Sequence, residues 1–213
     1  MDTDSISSVA QDYVKAIWAA TEWGDPPISA KGLAERFGTT PANVTDTMRR
    51  LATQGLVDYE PYRPVSLTSR GTAFALDMVR RHRLIETFLV TSLGYGWSEV
   101  HDEAERLEHA VSTTLIDRID DFLGRPVADP HGDPIPSREG ATAVPGGALR
   151  LAVAPPGEYR VVRVSDADPS ELVRAEELGL VPGAVVRAGV GAGEGVGDVW
   201  VVPVAPAPAG PAA

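Results

Sequence analysis

Between Ile28 and Gly55 the chain reads ISAKGLAERFGTTPANVTDTMRRLATQG, two short helical runs joined by a tight turn, and few folds accommodate that order. Ser29 can cap the first run, which carries Leu33, Ala34 and Phe37 on one side before Gly38 closes it. Thr39 or Thr40 can cap the second run, with Pro41 in its first turn and Val44, Met48 and Leu51 on its apolar side. Gly55 suits its C-terminal end. A helix over 6–22 precedes the pair, with Val9, Tyr13, Ala16, Ile17 and Ala20 at helical spacing, and Gly24-Asp25-Pro26-Pro27 ends it. Two short strands follow, Leu56–Glu60 and Val65–Thr68, around a Pro61–Pro64 turn. A helix-turn-helix followed by a hairpin predicts a winged helix. A small three-helix domain with an unrelated hairpin is the plainer alternative.

Beyond the hairpin, Thr72–Thr91 reads as a long helix containing Ala75, Leu76, Val79, Leu84, Phe88 and Leu89. Trp97-Ser98-Glu99 starts another, expected to run unbroken to about Phe122 with a stripe of Val100, Ala104, Leu107, Val111, Leu115 and Ile119. A stripe that long predicts a face buried against a symmetry mate. Residues 124–147 read as a loop-like linker, with prolines at 126, 130, 134, 136 and 145. From Ala148 the texture changes: LRLAVAPPGEYRVVRVSD, GLVPGAVVRAGV and DVWVVPV alternate β-branched residues with Gly and Pro turns. They predict a small antiparallel β-barrel with a helical insert at Pro169–Leu178. The low-complexity ending VPVAPAPAGPAA predicts disorder.

A formal net charge of −11 argues against a nucleic-acid partner until it is divided by segment. Residues 28–83 hold nine Lys/Arg against five acids, a net of +4, which leaves −15 for the rest; residues 84–140 hold twelve acids against four arginines, a net of −8. The basic segment can neutralise phosphates and the acidic one can hold cations. Two solvated faces are the bland alternative. The absence of cysteine fits a reducing cytosol and excludes disulfides, thiolate catalysis and Cys-based zinc fingers. No apolar run reaches the ~18 residues of a membrane span, and the acidic start MDTDSISSVAQDY has no apolar signal core. The expected location is the cytoplasm.

The chemistry concentrates in His101-Asp102-Glu103-Ala104-Glu105-Arg106-Leu107-Glu108-His109. On a helix, positions three and four apart share a face, so Glu105 lies beside Glu108 and His109, and His101 lies one turn before Glu105. Two imidazoles and two carboxylates within two turns suit a divalent cation that takes N and O ligands. His82 and Glu86 repeat the i, i+4 spacing on the preceding helix, so these positions take three of the four histidines. A solvated acidic helix with incidental histidines is the alternative. A metal-dependent hydrolase is another, but no nucleophile elbow, phosphate loop or HExxH is present. The chain is therefore not expected to be an enzyme.

The stretches DYVKAIW, LAERFGTTPANVTDTMRRLATQGLV, YEPYRPVSLTSRG, RRHRLIETFLV, VHDEAERLEHAVS and DPHGDPIP resemble the diphtheria-toxin-repressor family of iron- and manganese-dependent regulators. The likeness covers residues 6 to 140, and the C-terminal segment resembles, more loosely, the SH3-like domain of longer members. The resemblance implies a mainly α fold with a C-terminal all-β domain. Its parts are a winged helix-turn-helix over 1–73, a helical metal-binding and dimerisation domain over 74–140, a linker over 141–147, an SH3-like barrel over 148–205 and a disordered tail over 206–213. It implies a primary metal site of Asp12, Glu105, Glu108 and His109, and an ancillary site of His82, Glu86 and His101. Asp166 and Asp168 in VSDADPS are candidate oxygen ligands to the ancillary ion. In iron-responsive members the positions of Asp12 and Glu105 hold methionine and cysteine. Hard carboxylates at both shift the expectation to Mn2+, with Fe2+ as the alternative. Manganese-type members carry a glutamate at the position of Lys15. An ammonium cannot ligate a metal, so separate sites are expected rather than a fused binuclear cluster.

The same resemblance implies a dimeric repressor of metal homeostasis genes that binds palindromic double-stranded operator DNA when loaded with metal. Pro41–Ala52 would be the recognition helix. Thr40, Ala42, Asn43, Thr45 and Asp46 would face base edges, and Arg49, Arg50, Tyr62 and Arg63 would reach phosphates. For Thr45 and Thr47 the plain reading is helix surface. Asp46 is unfavourable beside phosphate, so it is expected to meet a base donor or to point away.

Overall fold

The computed structural model describes residues 6–60, 63–189 and 198–204. Tyr62 and the 206–213 tail therefore lie outside the described residues. The chain forms two compact units, one of residues 1–82, 108–110 and 136–142, the other of residues 83–107, 111–135 and 143–213.

In the first unit α1 (Ser8–Glu22), α2 (Ala30–Arg36) and α3 (Pro41–Thr53) precede a hairpin of β1 (Val57–Asp58) and β2 (Ser66–Leu67) and the first half of α4 (Ser69–Leu93). Each of the first three helices starts on a hydroxyl cap: Ser7 accepts from Ala10 N–H, Ser29 from Gly32 N–H and Thr40 from Asn43 N–H. Of the two candidate caps for α3, Thr40 is the one used. Tyr13, Val14, Leu33, Val44, Met48, Leu51, Leu56 and Phe74 form one core. Burying each such side chain stabilises by roughly 1.5–3 kcal/mol relative to leaving it exposed. The strands are shorter than the sequence suggests because only the root of the hairpin packs: Leu56, Val57 and Val65 are buried, while Glu60 and Arg63 are exposed. At Gly71 an added Cβ would meet the Leu56 carbonyl oxygen at 1.8 Å, so α4 crosses the hairpin base where only glycine fits.

The second unit contains the remainder of α4, most of α5 (Val100–Glu108), α6 (Thr113–Phe122) and a C-terminal sheet. The expected single helix from Trp97 to Phe122 is in fact two. Ser112 adopts an extended conformation and its side chain accepts from Leu115 N–H, so it caps a new helix instead of continuing the old one. The break shifts the phase of the apolar stripe: Val100, Ala104, Ile116 and Ile119 are buried, whereas Leu115 is 45% exposed. The stretch 124–135 is not an exposed linker either. Ala128 bridges Pro134, and Asp129, His131 and Asp133 are buried.

The C-terminal sheet is antiparallel in the order β3 (Leu149–Arg150), β6 (Val199–Pro203), β4 (Gly157–Val164), β5 (Val185–Ala188). The helix α7 (Pro169–Glu177) is inserted between β4 and β5. Tyr159, Val161 and Val164 of β4 meet Leu172, Ala175 and Val201 in a core against which Trp97 also packs. Among the described residues no helix is long and apolar enough to cross a membrane.

Candidate metal centres

In the first unit α1 supplies Asp12, and the end of α5 supplies Glu108 and His109. A ligand atom of each lies within 4.8 Å of the others. His109 Nε2 is 3.0 Å from Asp12 Oδ1. The other imidazole nitrogen, Nδ1, is 2.7 Å from Gln11 Oε1, and Gln11 in turn donates to the Ile6 carbonyl at 2.8 Å. An amide oxygen can only accept, so Nδ1 carries a proton and Nε2 is the atom available as a ligand. Glu108 is fully buried. Its Oε1 accepts from Lys15 Nζ at 2.6 Å and its Oε2 lies 2.6 Å from His82 Nδ1. Burial alone would push the carboxyl up, but His82 and Lys15 overcome it and hold Glu108 below its usual range. Glu105 stands one turn before Glu108 on α5.

The second unit gathers another set. His101 Nδ1 lies 3.1 Å from Asp166 Oδ2 and 3.3 Å from Glu86 Oε1, and its Nε2 lies 3.7 Å from Glu105 Oε1. Ligand atoms of Glu86, Asp129 and His131, all buried, also fall within 4.8 Å of one another. His131 Nε2 donates to the Trp97 carbonyl at 2.9 Å, while its buried Nδ1 has no hydrogen-bond partner and faces Glu86 Oε2 at 3.8 Å. The imidazole thus aims a lone pair at carboxylates, an arrangement that needs a proton or a cation between them.

The charges lead to the same conclusion. Burial and the neighbouring Asp133 and Glu86 carboxylates push Asp129 well above its usual range. Burial lowers the two imidazoles, but Asp166 and Glu86 raise His101 to about 10, and chiefly Glu86 raises His131 to about 9. Protons on these groups stand where a divalent cation would neutralise the cluster. Among the carboxylates of this cluster, Asp129 and Asp133 face the Arg83 guanidinium, and Asp133 also meets Arg163. Nitrogen and oxygen donors and an orphaned ligand nitrogen both fit a metal.

Of the residues singled out from sequence, the structure brings together Asp12, Glu108 and His109, and separately Glu86, His101 and Asp166. His82 stands one turn before Glu86 on α4, and its Nδ1 lies 2.6 Å from Glu108 Oε2. Asp168 is not brought there: its exposed carboxylate caps α7, accepting from the Ser170 N–H and hydroxyl. Three residues were missed. Gln11 sits beside a candidate ligand on the same helix but carries no charge to mark it. Asp129 and His131 lie in a proline-rich loop without periodicity; the one available signal was the fourth histidine, set between two aspartates in DPHGDP.

On the face of α3, Thr40, Ala42, Asn43, Asp46, Arg49 and Arg50 are exposed and Thr45 is partly so. Thr47, read as surface, is buried. Asp46 is turned to Arg49 at 3.0 Å, and Arg63 of the hairpin pairs with Glu60 at 3.1 Å. An open groove of about 800 Å³ is lined by Asp12 and Tyr13 of α1 together with Asn43, Arg49 and Arg50 of α3.

Two family models match the chain in succession: the iron dependent repressor N-terminal DNA binding domain over residues 5–65, and the iron dependent repressor metal binding and dimerisation domain over residues 68–137. The chain belongs to the iron-dependent repressor family. It is a metal-dependent transcriptional repressor of the diphtheria-toxin-repressor type. It is 33% identical to the iron-dependent repressor IdeR of Mycobacterium tuberculosis over 196 residues, covering 86% of this chain and 85% of that one. Among solved structures, a manganese-dependent transcriptional repressor in complex with manganese superposes with a TM-score of 0.82 at 43% identity, covering 92% of this chain and all of that one. The apo form of the manganese-activated repressor ScaR superposes with a TM-score of 0.77 at 32% identity, covering 91% and 100%. Family members are repressors rather than enzymes.

Proposed function

We propose that the chain is a manganese-dependent repressor that binds palindromic double-stranded operator DNA as a homodimer and controls metal-ion homeostasis in the cytoplasm. The observation that carries the choice of metal is the donor chemistry. Asp12, Glu105, Glu108 and His109 would hold the first ion through carboxylates and one imidazole, with no sulfur donor among them. The similarity to a manganese-dependent repressor supports this reading, and the similarity to IdeR supports iron as the second one.

The second ion would be held by His82, Glu86, His101 and Asp166, with Asp129 and His131 beside them, so this site extends beyond the set expected from sequence. Bound metal supplies positive charge and fixed coordination. The chain's own residues supply the rest: Gln11 fixes the His109 tautomer, and Lys15 neutralises one oxygen of Glu108 where a second close-lying ion would otherwise sit. Asp12 belongs to α1, whose Tyr13, Val14, Ala16 and Ile17 share a core with Val44, Met48 and Leu51 of α3. A metal that fixes Asp12 would therefore fix the recognition helix. In a dimer the two such helices must lie about 34 Å apart to enter successive major grooves.

Leu93, Leu115, Phe122 and Val127, exposed by 59, 45, 70 and 84%, are the apolar side chains that a second copy would cover. On α3 and the hairpin, Thr40, Ala42, Asn43 and Thr45 would face base edges, and Arg49, Arg50, Arg63 and Tyr62 would reach phosphates.

The test is a mobility-shift assay under anaerobic conditions on a palindromic duplex selected by the protein from a random library. Manganese is expected to promote the shift at lower free concentration than ferrous iron. The reverse order would make the chain an iron-dependent repressor, and a shift indifferent to metal would remove both readings.

A further inference from the structure

The second metal cluster has a support that is not itself a ligand. The loop Asp129–Pro134 is closed by Asp129 Oδ1, which accepts from the His131 and Asp133 amides at 2.9 Å each. Strand β4 is fitted directly onto this loop. Val164 N–H donates to the His131 carbonyl at 2.9 Å. Gly132 has a φ of +93°, and an added Cβ would meet the Val162 carbonyl oxygen at 2.0 Å, so loop and strand touch backbone to backbone. Arg163 then crosses from β4 to Asp133, Nε to Oδ1 at 2.7 Å, with side chains 15% and 4% exposed. Asp133 is held from its other side by Arg83 of α4 at 3.4 Å, and Arg83 also donates to the Pro134 carbonyl at 2.6 Å. Asp166 follows β4 by two residues. One strand therefore carries both the clamp, Arg163, and a candidate ligand, Asp166.

We infer that Arg163 is a positioning residue for the second metal site: its bridge to Asp133 fixes β4 on the 129–134 loop and so sets Asp166 against Glu86, His101 and His131. This rests on the second-site reading given above. The C-terminal sheet then belongs to the metal centre, because its first long strand holds one wall of the site in place before any ion arrives.

Simple electrostatics and positioning make opposite predictions. Arg163 is a cation near the site, so deleting its charge should strengthen metal binding if charge were its only role. If it positions Asp166, deletion should weaken binding at the second site alone. The experiment is equilibrium binding of Mn2+ to the full chain, with free ion read by electron paramagnetic resonance. The wild type is expected to take two equivalents. Arg163→Ala is expected to keep the first with unchanged affinity and to bind the second at least tenfold more weakly. Arg163→Lys should recover part of that loss, and hydrogen exchange over residues 157–166 of the metal-free Arg163→Ala protein should rise. If Arg163→Ala loses its cooperative thermal transition, Arg163→Met, which keeps the length of the stem, carries the same expectations. Unchanged or tighter second-site binding in either folded variant overturns the positioning role. A wild type that takes only one equivalent would instead overturn the second-site reading on which it rests.

Discussion

Glu108 is a fully buried carboxylate, and two partners hold it below its usual range: Lys15 on one oxygen and His82 on the other, each at 2.6 Å. Its neighbour His109 depends on Gln11 for the same kind of preparation, since the 2.7 Å bond to Nδ1 decides which nitrogen faces Asp12. Replacing such an outer partner of a ligating histidine costs about 10–100-fold in metal affinity. Gln11→Ala should show a loss in that range by manganese titration, with its thermal transition retained; wild-type affinity would remove Gln11 from the site. Asp12→Ala should abolish metal-dependent DNA binding while leaving the dimer folded, as checked by mobility shift beside analytical ultracentrifugation.

The second cluster carries a pH signature. His101 and His131 rise from 6.5 to about 10 and about 9 on folding. A raised imidazole stabilises the fold fully below its unfolded value and ceases to do so as pH climbs through the folded one. The metal-free protein should therefore lose thermal stability between about pH 7 and 10. His101→Gln should flatten that fall, and an identical pH profile in the variant would contradict the cause. Charge at His82, Glu86, His101 and Glu105 was legible in the sequence because helical periodicity places i and i+4 together whatever the fold. Asp129 and His131 were not, because a loop's partners are set by tertiary contacts such as the Trp97 carbonyl, which no local pattern encodes.

At the scale of elements, the winged helix was legible almost residue by residue. Hydroxyl caps at Ser29 and Thr40, Pro41 in the first turn and Gly38 between the helices are all local chemistry. The break between α5 and α6 was not, because the stripe from Val100 to Ile119 keeps a helical period across it. A single capping bond at Ser112 decides the matter. Ser112→Ala should destabilise the protein by about 1 kcal/mol in chemical denaturation. A change near zero would mean that packing of Ile116 and Ile119, rather than the cap, sets the start of α6. The strands of the hairpin are shorter than their pattern for a related reason: β-branched residues mark where a strand can form, and burial of Val57 and Val65 decides where it does.

For the whole molecule, an acidic protein that binds DNA is consistent only because its charge is segregated, +4 over residues 28–83 against −8 over 84–140. The basic share lies with the recognition helix and hairpin, and the acidic share supplies most of the candidate ligands, joined by Asp12 and Asp166 from outside it. Without metal the acidic sets are held by protons, by Lys15 and by the guanidiniums of Arg83 and Arg163. With metal, the position of α1 and the core it shares with α3 would be fixed. This is a shift between two populations, limited by the difference in metal affinity between them. The most direct test is fluorescence anisotropy of the selected palindromic duplex against protein concentration, with saturating manganese and with the metal removed by chelator. Binding should appear with manganese, vanish with chelator and return on re-addition; equal affinity in both conditions would contradict metal control of DNA binding.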